Sequence, residues 1–478
     1  MKKSGFYKRH TKIVCTIGPA SGSSSAIERL LRGGMNVARL NLAHGTLTEH
    51  AHYIQTIRTI SRHLDLPVAI LMDLPGPKYR TGRLKGGQAT LRKGARITLT
   101  TRDIEGDATE VSVNLPNLPQ DIRIGDTILL DDGAMQLRVL GKDGNEISCR
   151  VTAGGVLTER RGLVVPAMLS SAPFVTDSLR EHLRFAAQES PDYLAISFVS
   201  HAEDVTSVKA ILRQHKVDIP IIAKIERGQA VKDFDSILSA SDGIMVARGD
   251  LGVDIPLEKV PLVQKELIQK CNHAGKPVIT ATQMLESMIQ AARPTRAEVT
   301  DVANAIFDGT DATMLSGETS VGKYPVIAVR TMAKIAREIE RSLAYERLLA
   351  EKGTWIERKT DELISYSACH TAQSLGAIAI VAFTQSGSTA RRVSKYHPRV
   401  PILAITPNSI INGQLLLHWG VYPFQVYSAT SVDELFATAA KLAKETGLAK
   451  SGDLIVITGG VPIGRTGSTN LLKVEKIS

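Results

Sequence analysis

Short runs of apolar residues recur from residue 12 to residue 315, and most of them are continuous rather than alternating. Continuous runs of this length are typical of strands buried on both faces, as in a parallel sheet. Segments able to form helices follow them, among them Ala202–His215, Leu257–Ala274 and Val326–Glu340. Eight serial strand–helix units predict a closed (β/α)8 barrel. The predicted strands are Lys12–Ile17, Asn36–Leu40, Val68–Met72, Tyr193–Phe198, Pro220–Lys224, Gly243–Ala247, Pro277–Ala281 and Ala312–Leu315.

The pattern changes between Leu74 and about Ser171, where glycine-rich turns separate short strand-like runs. Ala95–Thr100, Thr127–Leu130 and Glu146–Val151 are three of these runs. They predict a small all-β domain inserted after the third barrel strand. An insertion at the C-terminal end of a barrel strand lies over the active site, where a mobile lid belongs.

A second α/β region follows the barrel. From Glu340 to about Lys359 the chain is polar and charged and predicts one helix. The strands predicted after it are Ala377–Thr384, Pro401–Thr406, Gly420–Val426, Leu454–Thr458 and Leu471–Lys476. The predicted division is residues 1–73 and 172–345 for the barrel, 74–171 for the lid, and 346–478 for a C-terminal α/β regulatory domain.

Composition narrows the function classes. The 478 residues carry a net charge of +10, but the basic residues are spread along the chain and only 4% of residues are aromatic. Without a stacking platform, the charge favours small phosphorylated anions over nucleic acid, and plain surface solubility is the remaining alternative. No apolar run is long enough to cross a membrane, and residues 1–12 have no signal-peptide core. The four scattered cysteines lack zinc-site or disulfide spacing, so we expect a cytoplasmic protein.

Charged side chains follow the predicted barrel strands at their C-terminal ends, where barrel enzymes carry their chemistry. Lys224 and Glu226 are two residues apart, so they face the same side of an extended segment, and Asp250 follows the adjacent strand. Two carboxylates with room for water and substrate oxygens suit Mg²⁺. Lys224 and Arg39 would supply positive charge to a transferring phosphoryl group. The alternative is that these residues form ordinary surface ion pairs along the barrel rim. That alternative can account for any one of them, but it accounts less well for all of them together.

Six sequence strings resemble pyruvate kinase, in order over nearly the whole chain. They are MNVARLNLAHG (Met35–Gly45), AKIE (Ala223–Glu226), GIMVARGDLG (Gly243–Gly252), ATQMLESM (Ala281–Met288), RPTRAEVTDVAN (Arg293–Asn304) and MLSGET (Met314–Thr319). The resemblance implies a barrel with an inserted lid and a regulatory domain. It also implies a homotetramer in which Mg²⁺, or Mn²⁺, supports phosphoryl transfer from phosphoenolpyruvate to ADP, giving pyruvate and ATP.

The same resemblance implies a role for each matching residue. The divalent metal is bound by Glu226 and Asp250. Phosphoenolpyruvate is contacted by Arg39, Lys224, Gly249, Asp250 and Thr282. Lys224 stabilises the phosphoryl group during its transfer. The enolate is protonated, through water, near Thr282, Ser316 and Glu318. On the lid side, Arg80 contacts phosphate groups and Arg161 stands where a nucleotide-contacting lysine is usual.

One pocket departs from the family pattern. Asn41 and Asp73 of the monovalent-cation pocket are kept, but Ala43 replaces a serine, Leu74 a threonine and Lys78 a glutamate. Two oxygen ligands are lost and a fixed cation is gained. The sequence therefore predicts that K⁺ is not required, because the Lys78 ammonium supplies its charge. The alternative is that Lys78 points to solvent.

The regulatory domain contains a run of hydroxyl residues between a predicted strand and a helix. Backbone N–H groups and hydroxyls at a helix N-terminus can bind phosphate, and the run resembles the family's sugar-phosphate effector site. The candidate effector residues are Thr384, Ser386, Gly387, Ser388 and Thr389, with Arg465 from a glycine-rich segment. A helix cap alone would also explain the hydroxyls.

Two further patterns are weak. Gly317–Lys323 fits seven positions of a phosphate-binding P-loop, but Tyr324 replaces the Ser/Thr that would bind Mg²⁺. Met284 and Met288, at helical spacing, predict packing rather than a binding stripe. Two functional alternatives stay open: an Mg²⁺-dependent enolate enzyme of the phosphoenolpyruvate mutase or lyase type, and an inactive metabolite sensor.

Overall fold

Eight parallel strands close into a barrel, which confirms the predicted fold class. The computed structural model describes residues 9–478 except 115, 167, 169, 170, 427–430 and 464–466. The barrel strands are β1 (Lys12–Thr16), β2 (Val37–Asn41), β3 (Ala69–Leu74), β13 (Tyr193–Ile196), β14 (Ile221–Ile225), β15 (Gly243–Ala247), β16 (Val278–Ala281) and β17 (Ala312–Leu315), numbered in chain order with those of the lid. Their residues are almost all buried, as continuous apolar runs predict.

Amphipathic helices surround the barrel. Thr46 and Glu49 form a capping box at the start of one helix, and Thr295 and Glu298 form another. The helices are Ser24–Gly33, Leu47–Leu64, Asp177–Glu189, Ala202–Gln214, Gly228–Lys232, Phe234–Ala240, Arg248–Asp254, Val260–Ala274, Arg296–Asp308, Gly317–Ser320 and Pro325–Ser342. Their apolar faces form one buried cluster with the outward-facing side chains of the strands.

The lid is a separate β domain inserted between β3 and the helix Asp177–Glu189. Its strands are β4 (Tyr79–Arg80), β5 (Gln88–Leu91), β6 (Arg96–Thr100), β7 (Glu110–Ser112), β8 (Thr127–Leu130), β9 (Met135–Asp143), β10 (Glu146–Ala153), β11 (Gly155–Thr158) and β12 (Gly162–Val164). Seven of them form one sheet, and Leu118–Asp121 forms a short helix. Their apolar residues form a core separate from that of the barrel, so the lid is its own packing unit.

The C-terminal domain has a five-stranded sheet, whose strands are β18 (Ala379–Phe383), β19 (Ile402–Thr406), β20 (Val421–Gln425), β21 (Leu454–Gly459) and β22 (Leu471–Lys476). Their order in the sheet is β20–β19–β18–β21–β22, with only the edge strand β22 antiparallel. The helices are Tyr345–Gly353, Thr360–Ser374, Ser388–Lys395, Ser409–Gln414 and Val432–Glu445.

The prediction of one charged helix from Glu340 to about Lys359 is wrong. The barrel helix ends at Ser342, because Leu343 takes an extended conformation, and a new helix covers only Tyr345–Gly353. Tyr345 is buried against the barrel core. Burial of this side chain decides the break, which a polar pattern alone does not reveal.

The C-terminal domain packs against the N-terminal ends of the barrel strands. Leu416 and Leu417 join the side chains that fill the barrel interior. Tyr193, at the start of β13, donates its hydroxyl to the Gln414 carbonyl at 2.7 Å, and Lys12 Nζ donates to the Val421 carbonyl at 2.6 Å. The catalytic candidates stand at the opposite ends of the strands. Within the described part of the chain, no helix combines the length and apolar character that crossing a membrane requires.

Candidate active site

The C-terminal strand ends bring together a buried cluster of charged groups centred on Lys224. Its Nζ atom lies 3.2 Å from Asp73 Oδ1, 2.9 Å from Glu226 Oε1 and 2.7 Å from Ser197 Oγ. Lys224 and Glu226 thus face the same side, as their spacing predicted. All three charged side chains are at least nine-tenths buried, so their mutual attraction is weakly screened.

Arg39 is the second cation of this cluster. Its Nε and Nη2 atoms both lie 2.7 Å from Asp73 Oδ2, and Nη1 donates to Thr16 Oγ1 at 2.9 Å. The barrel register explains this, because Arg39 pairs with Thr16 on one side and lies on the strand next to β3 on the other. Asp73 therefore has two fixed cationic partners.

These contacts set the charge states. Burial alone would raise the pKa of the Asp73 carboxyl, but the Lys224 and Arg39 charges hold that pKa below its ordinary value. Burial alone would lower the pKa of Lys224, yet Asp73 and Glu226 raise it. At neutral pH the cluster therefore holds an ionised Asp73 and a protonated Lys224.

Glu226 and Asp250 form the carboxylate pair predicted from the sequence. Burial raises the pKa of Glu226, and the nearby Asp250 charge adds to that rise while Lys224 opposes it. The Phe198 N–H, held by a left-handed backbone (φ 60°), donates to Glu226 Oε2 at 2.6 Å. Asp250 lies in the first turn of the helix that follows β15.

The Glu226 and Asp250 carboxylates suit a divalent cation whose remaining coordination positions are filled by water or substrate. Among the described residues, no group of three or more histidine, cysteine, aspartate or glutamate side chains could enclose a metal alone. Two carboxylates, with the other positions left to water and substrate oxygens, match the preference of Mg²⁺. Glu226 and Asp250 could hold such an ion.

Lys78, the residue predicted to replace K⁺, contacts one of the two candidate metal ligands. Its Nζ atom donates to Asp250 Oδ1 at 2.7 Å rather than to Asp73. Asp73 already pairs with Arg39 and Lys224, whereas Lys78 is the one cation that pairs with Asp250 among the described residues. Asn41 Oδ1 accepts from the Ala43 N–H at 3.3 Å within its own turn.

The seventh strand end positions Thr282 beside Gly249. Thr282 has a left-handed backbone (φ 71°), and its Oγ1 accepts from the Gly249 N–H at 2.8 Å. Arg248 holds this corner, since it donates to the Thr282 carbonyl at 2.7 Å and forms a two-pronged ion pair with Asp301 at 2.6 and 2.7 Å. The Thr282 hydroxyl and the helix N-terminus at Gly249 therefore lie together.

Glu318 and Ser316 form the eighth strand end. Glu318 accepts from the Ser316 N–H at 2.7 Å and from the Leu285 N–H at 3.0 Å, and burial raises the pKa of its carboxyl. The Ser316 hydroxyl is buried and has no hydrogen-bond partner within the described residues. This hydroxyl therefore keeps unused hydrogen-bonding capacity at the eighth strand end.

The lid residue Arg80 belongs to β4, and Arg161 directly precedes β12, which pairs with β4. Arg80 donates to the Arg160 carbonyl at 3.2 Å, and Arg161 pairs with Asp131 at 3.3 Å. Arg161 is about half exposed. A narrow cleft joins lid and barrel, and its lining includes Lys78, Tyr79, Leu163, Phe198, Glu226 and Asp250.

The effector candidates gather at the start of the helix Ser388–Lys395. Ser386 Oγ donates to Ser388 Oγ at 3.2 Å, Thr389 Oγ1 lies 2.8 Å from Thr469 Oγ1, and Gly387 takes a left-handed conformation (φ 82°). The Thr384 hydroxyl is buried without a partner among the described residues. The remaining candidate, Arg465, lies outside the described residues.

The two weak patterns resolve as packing. Gly317–Ser320 is a short helix whose Thr319 hydroxyl donates to the Thr16 carbonyl at 2.8 Å, so the P-loop pattern is part of the barrel wall. Met284 and Met288 are completely buried in the barrel core.

Sequence reasoning missed four contacting residues. Ser197 follows the fourth strand and Thr16 ends the first, so reading every strand end would have found both. Arg248 and Asp301 fall inside the matched strings, but no local signal shows that they pair.

Almost the whole chain is similar in sequence and in structure to known pyruvate kinases. Residues 8–329 match the model "Pyruvate kinase, barrel domain", and residues 362–475 match "Pyruvate kinase, alpha/beta domain". The chain is 47% identical over 474 residues to pyruvate kinase from Geobacillus stearothermophilus, covering 98% of this chain and 81% of the relative. It is 46% identical to the enzyme from Staphylococcus aureus strain MRSA252, covering 98% and 80%. A crystal structure of a pyruvate kinase from Cryptosporidium parvum superposes with a TM-score of 0.94 at 37% identity, covering 100% of this chain and 99% of that one. The chain therefore belongs to the pyruvate kinase family.

Proposed function

We propose that this protein transfers the phosphoryl group of phosphoenolpyruvate to ADP with the help of Mg²⁺, giving pyruvate and ATP as a cytoplasmic step of glycolysis. The observation that carries the proposal is the buried Lys224 ammonium, held 3.2 Å from Asp73 and 2.9 Å from Glu226. A fixed buried cation beside a carboxylate pair suits a reaction that depends on positioning and charge.

Lys224 and Arg39 act on the phosphoryl group. An ADP phosphate oxygen forms a bond to phosphorus, the bond from phosphorus to the enol oxygen breaks, and the electron pair stays on the enolate. Both cations are oriented by Asp73 before substrate arrives, so no reorganisation is needed to stabilise the developing charge. A divalent ion held by Glu226 and Asp250 would neutralise phosphate and carboxylate charge.

Thr282, Ser316 and Glu318 serve the second step. The enolate takes a proton at its terminal carbon through water, and solvent replaces that proton. Two observations support proton donation from this side of the site: the Ser316 hydroxyl has no hydrogen-bond partner among the described residues, and burial raises the pKa of Glu318. The Gly249 N–H and Thr282 hydroxyl bind the substrate carboxylate, while Arg80 and Arg161 contact the nucleotide from the lid.

K⁺ is not required in this proposal. Three side-chain cations (Arg39, Lys78 and Lys224) pair with three carboxylates (Asp73, Glu226 and Asp250). Before metal and substrates bind, these six charges therefore sum to zero without an alkali ion. We expect nearly full turnover with Mg²⁺ in tetramethylammonium buffer and little gain from KCl. Lys78→Glu should cripple that activity. Near-inactivity of the wild type until K⁺ is added would contradict this part of the proposal.

Regulation follows from the C-terminal domain. A phosphorylated metabolite bound at Thr384–Thr389 would face the unpartnered Thr384 hydroxyl and the N-terminus of the helix that begins at Ser388. We expect the active assembly to be a homotetramer.

A coupled assay tests the function directly. Pyruvate and ATP should form in equal amounts from phosphoenolpyruvate and ADP. Conversion of phosphoenolpyruvate without ADP would indicate the mutase or lyase alternative. No turnover under any salt or effector condition would indicate an inactive sensor.

A further inference from the structure

Lys78 lies in the segment that joins the barrel to the lid, and its side chain is confined between the two. Its Nζ atom is 2.7 Å from Asp250 Oδ1 and 5.4 Å from the centre of the Phe198 ring. On the lid side, a Cβ atom built on Gly162 would come within 2.9 Å of Lys78 Cε, which shows how closely β12 covers the stem of the lysine.

The carboxylate that Lys78 contacts is one of the two proposed metal ligands. A divalent ion would approach an Asp250 oxygen to about 2.0–2.1 Å if it is Mg²⁺. An ammonium 2.7 Å from Oδ1 occupies part of the same space around that carboxylate and carries the same sign of charge. The two cations therefore oppose each other at Asp250, through both space and Coulomb repulsion.

We propose that Lys78 is a tethered competitor of the divalent cation at Asp250. When the metal takes Asp250, the Lys78 ammonium leaves it, and the segment between β3 and β4 is released from the barrel rim. Metal binding is thereby communicated to the attachment of the lid. This inference rests on the proposed metal site at Glu226 and Asp250.

The partial burial of Lys78 and Asp250 indicates that their contact is strong enough to change metal affinity measurably. Lys78 is 18% exposed and Asp250 30% exposed, so the pair is partly shielded from solvent. A charge-assisted hydrogen bond in such a place is worth more than an exposed ion pair. Removing it should tighten metal binding by about tenfold.

The test measures Mn²⁺ binding to the full chain without substrates, using the electron paramagnetic resonance signal of free Mn²⁺. We expect Lys78→Met to lower the Kd for Mn²⁺ by about tenfold. Lys85→Met is the matched control, because Lys85 is an exposed lid lysine paired with Asp107 at 3.1 Å, and it should leave Kd unchanged. An equal or weaker affinity in Lys78→Met would overturn the inference.

Asp250→Asn separates this inference from the metal site itself. If Asp250→Asn binds Mn²⁺ as well as the wild type does, the proposed metal site is wrong. If Asp250→Asn loses binding while Lys78→Met has no effect, the site stands and only the competition fails.

Hydrogen exchange provides a second readout that does not depend on turnover. Saturating Mn²⁺ should speed amide exchange over residues 78–81 in the wild type, because the Lys78 contact is lost. In Lys78→Met those amides should exchange quickly with or without Mn²⁺. A wild type whose exchange in this segment is slowed or unchanged by Mn²⁺ would contradict the proposed link to the lid.

Discussion

Lys352 should make the stability of this protein depend on pH in a direction that its contacts define. The side chain is buried between barrel and C-terminal domain, where Nζ donates to Asn272 Oδ1 at 2.8 Å and to the Lys395 carbonyl at 2.9 Å. Burial lowers the pKa of Lys352 to about 7, with Asp311 opposing the shift. The uncharged amine can make both hydrogen bonds, since it keeps two N–H donors.

The sign and size follow from proton linkage. In the unfolded chain the lysine keeps its ordinary pKa of 10.5, so between pH 7 and 10.5 the unfolded state holds a proton that the folded state has released. Raising the pH through this window therefore stabilises the folded protein. The gain from pH 7 to 9.5 is about 3 kcal/mol at 1.36 kcal/mol per pKa unit.

The measurement compares the wild type with Lys352→Met by urea unfolding at both pH values. The two tryptophans are local reporters, because Trp355 stacks on His273 at 5.4 Å and Trp419 stacks on His397 at 4.5 Å, both near this contact. The stability difference, wild type minus mutant, should rise by about 3 kcal/mol from pH 7 to 9.5. Lys441→Met, an exposed control, should show no such rise. A pH-independent difference for Lys352→Met would refute the reasoning.

The remaining predictions concern the active and effector sites. Lys224→Met should lower kcat by about 10³-fold with little change in the KM for phosphoenolpyruvate, and near-normal turnover would remove Lys224 from the chemistry. Glu226→Gln and Asp250→Asn should each weaken Mg²⁺ binding, measured by calorimetry, and retained affinity in both would place the metal elsewhere. Replacing Ser386 and Thr389 together by Asp should abolish activation by phosphorylated metabolites while basal turnover persists, and an unchanged response would relocate the effector site.

The strands were predictable because burial on both faces leaves a continuous apolar run. Gly243–Ala247 and Ala312–Leu315 begin and end where the pattern predicts. The strand-end rule then predicted the neighbourhood of Lys224, Glu226 and Asp250, since the ends of parallel strands meet at one rim. Both results depend only on local periodicity and on the closure of the sheet.

Side-chain partners between distant segments were not predictable in the same way. Lys78 and Asp250 are 172 positions apart, and no local pattern shows which of several carboxylates an ammonium will choose. The choice depends on the other cations, because Asp73 is already neutralised by Arg39 and Lys224. The helix break before Tyr345 was not predictable either, because it depends on burial of Tyr345 against the barrel core and not on the local pattern of polar residues.

Two leucines at the N-terminal end of the barrel limit whether the barrel can be separated from the C-terminal domain. Leu416 and Leu417 fill the end of the barrel interior, although they belong to the C-terminal domain. A fragment ending before residue 346 would leave that end open to water, with Ala312 and Met314 among the side chains that lose their cover. The C-terminal domain is therefore a structural part of the barrel. An evolutionary loss of this domain would have required a new plug for the barrel.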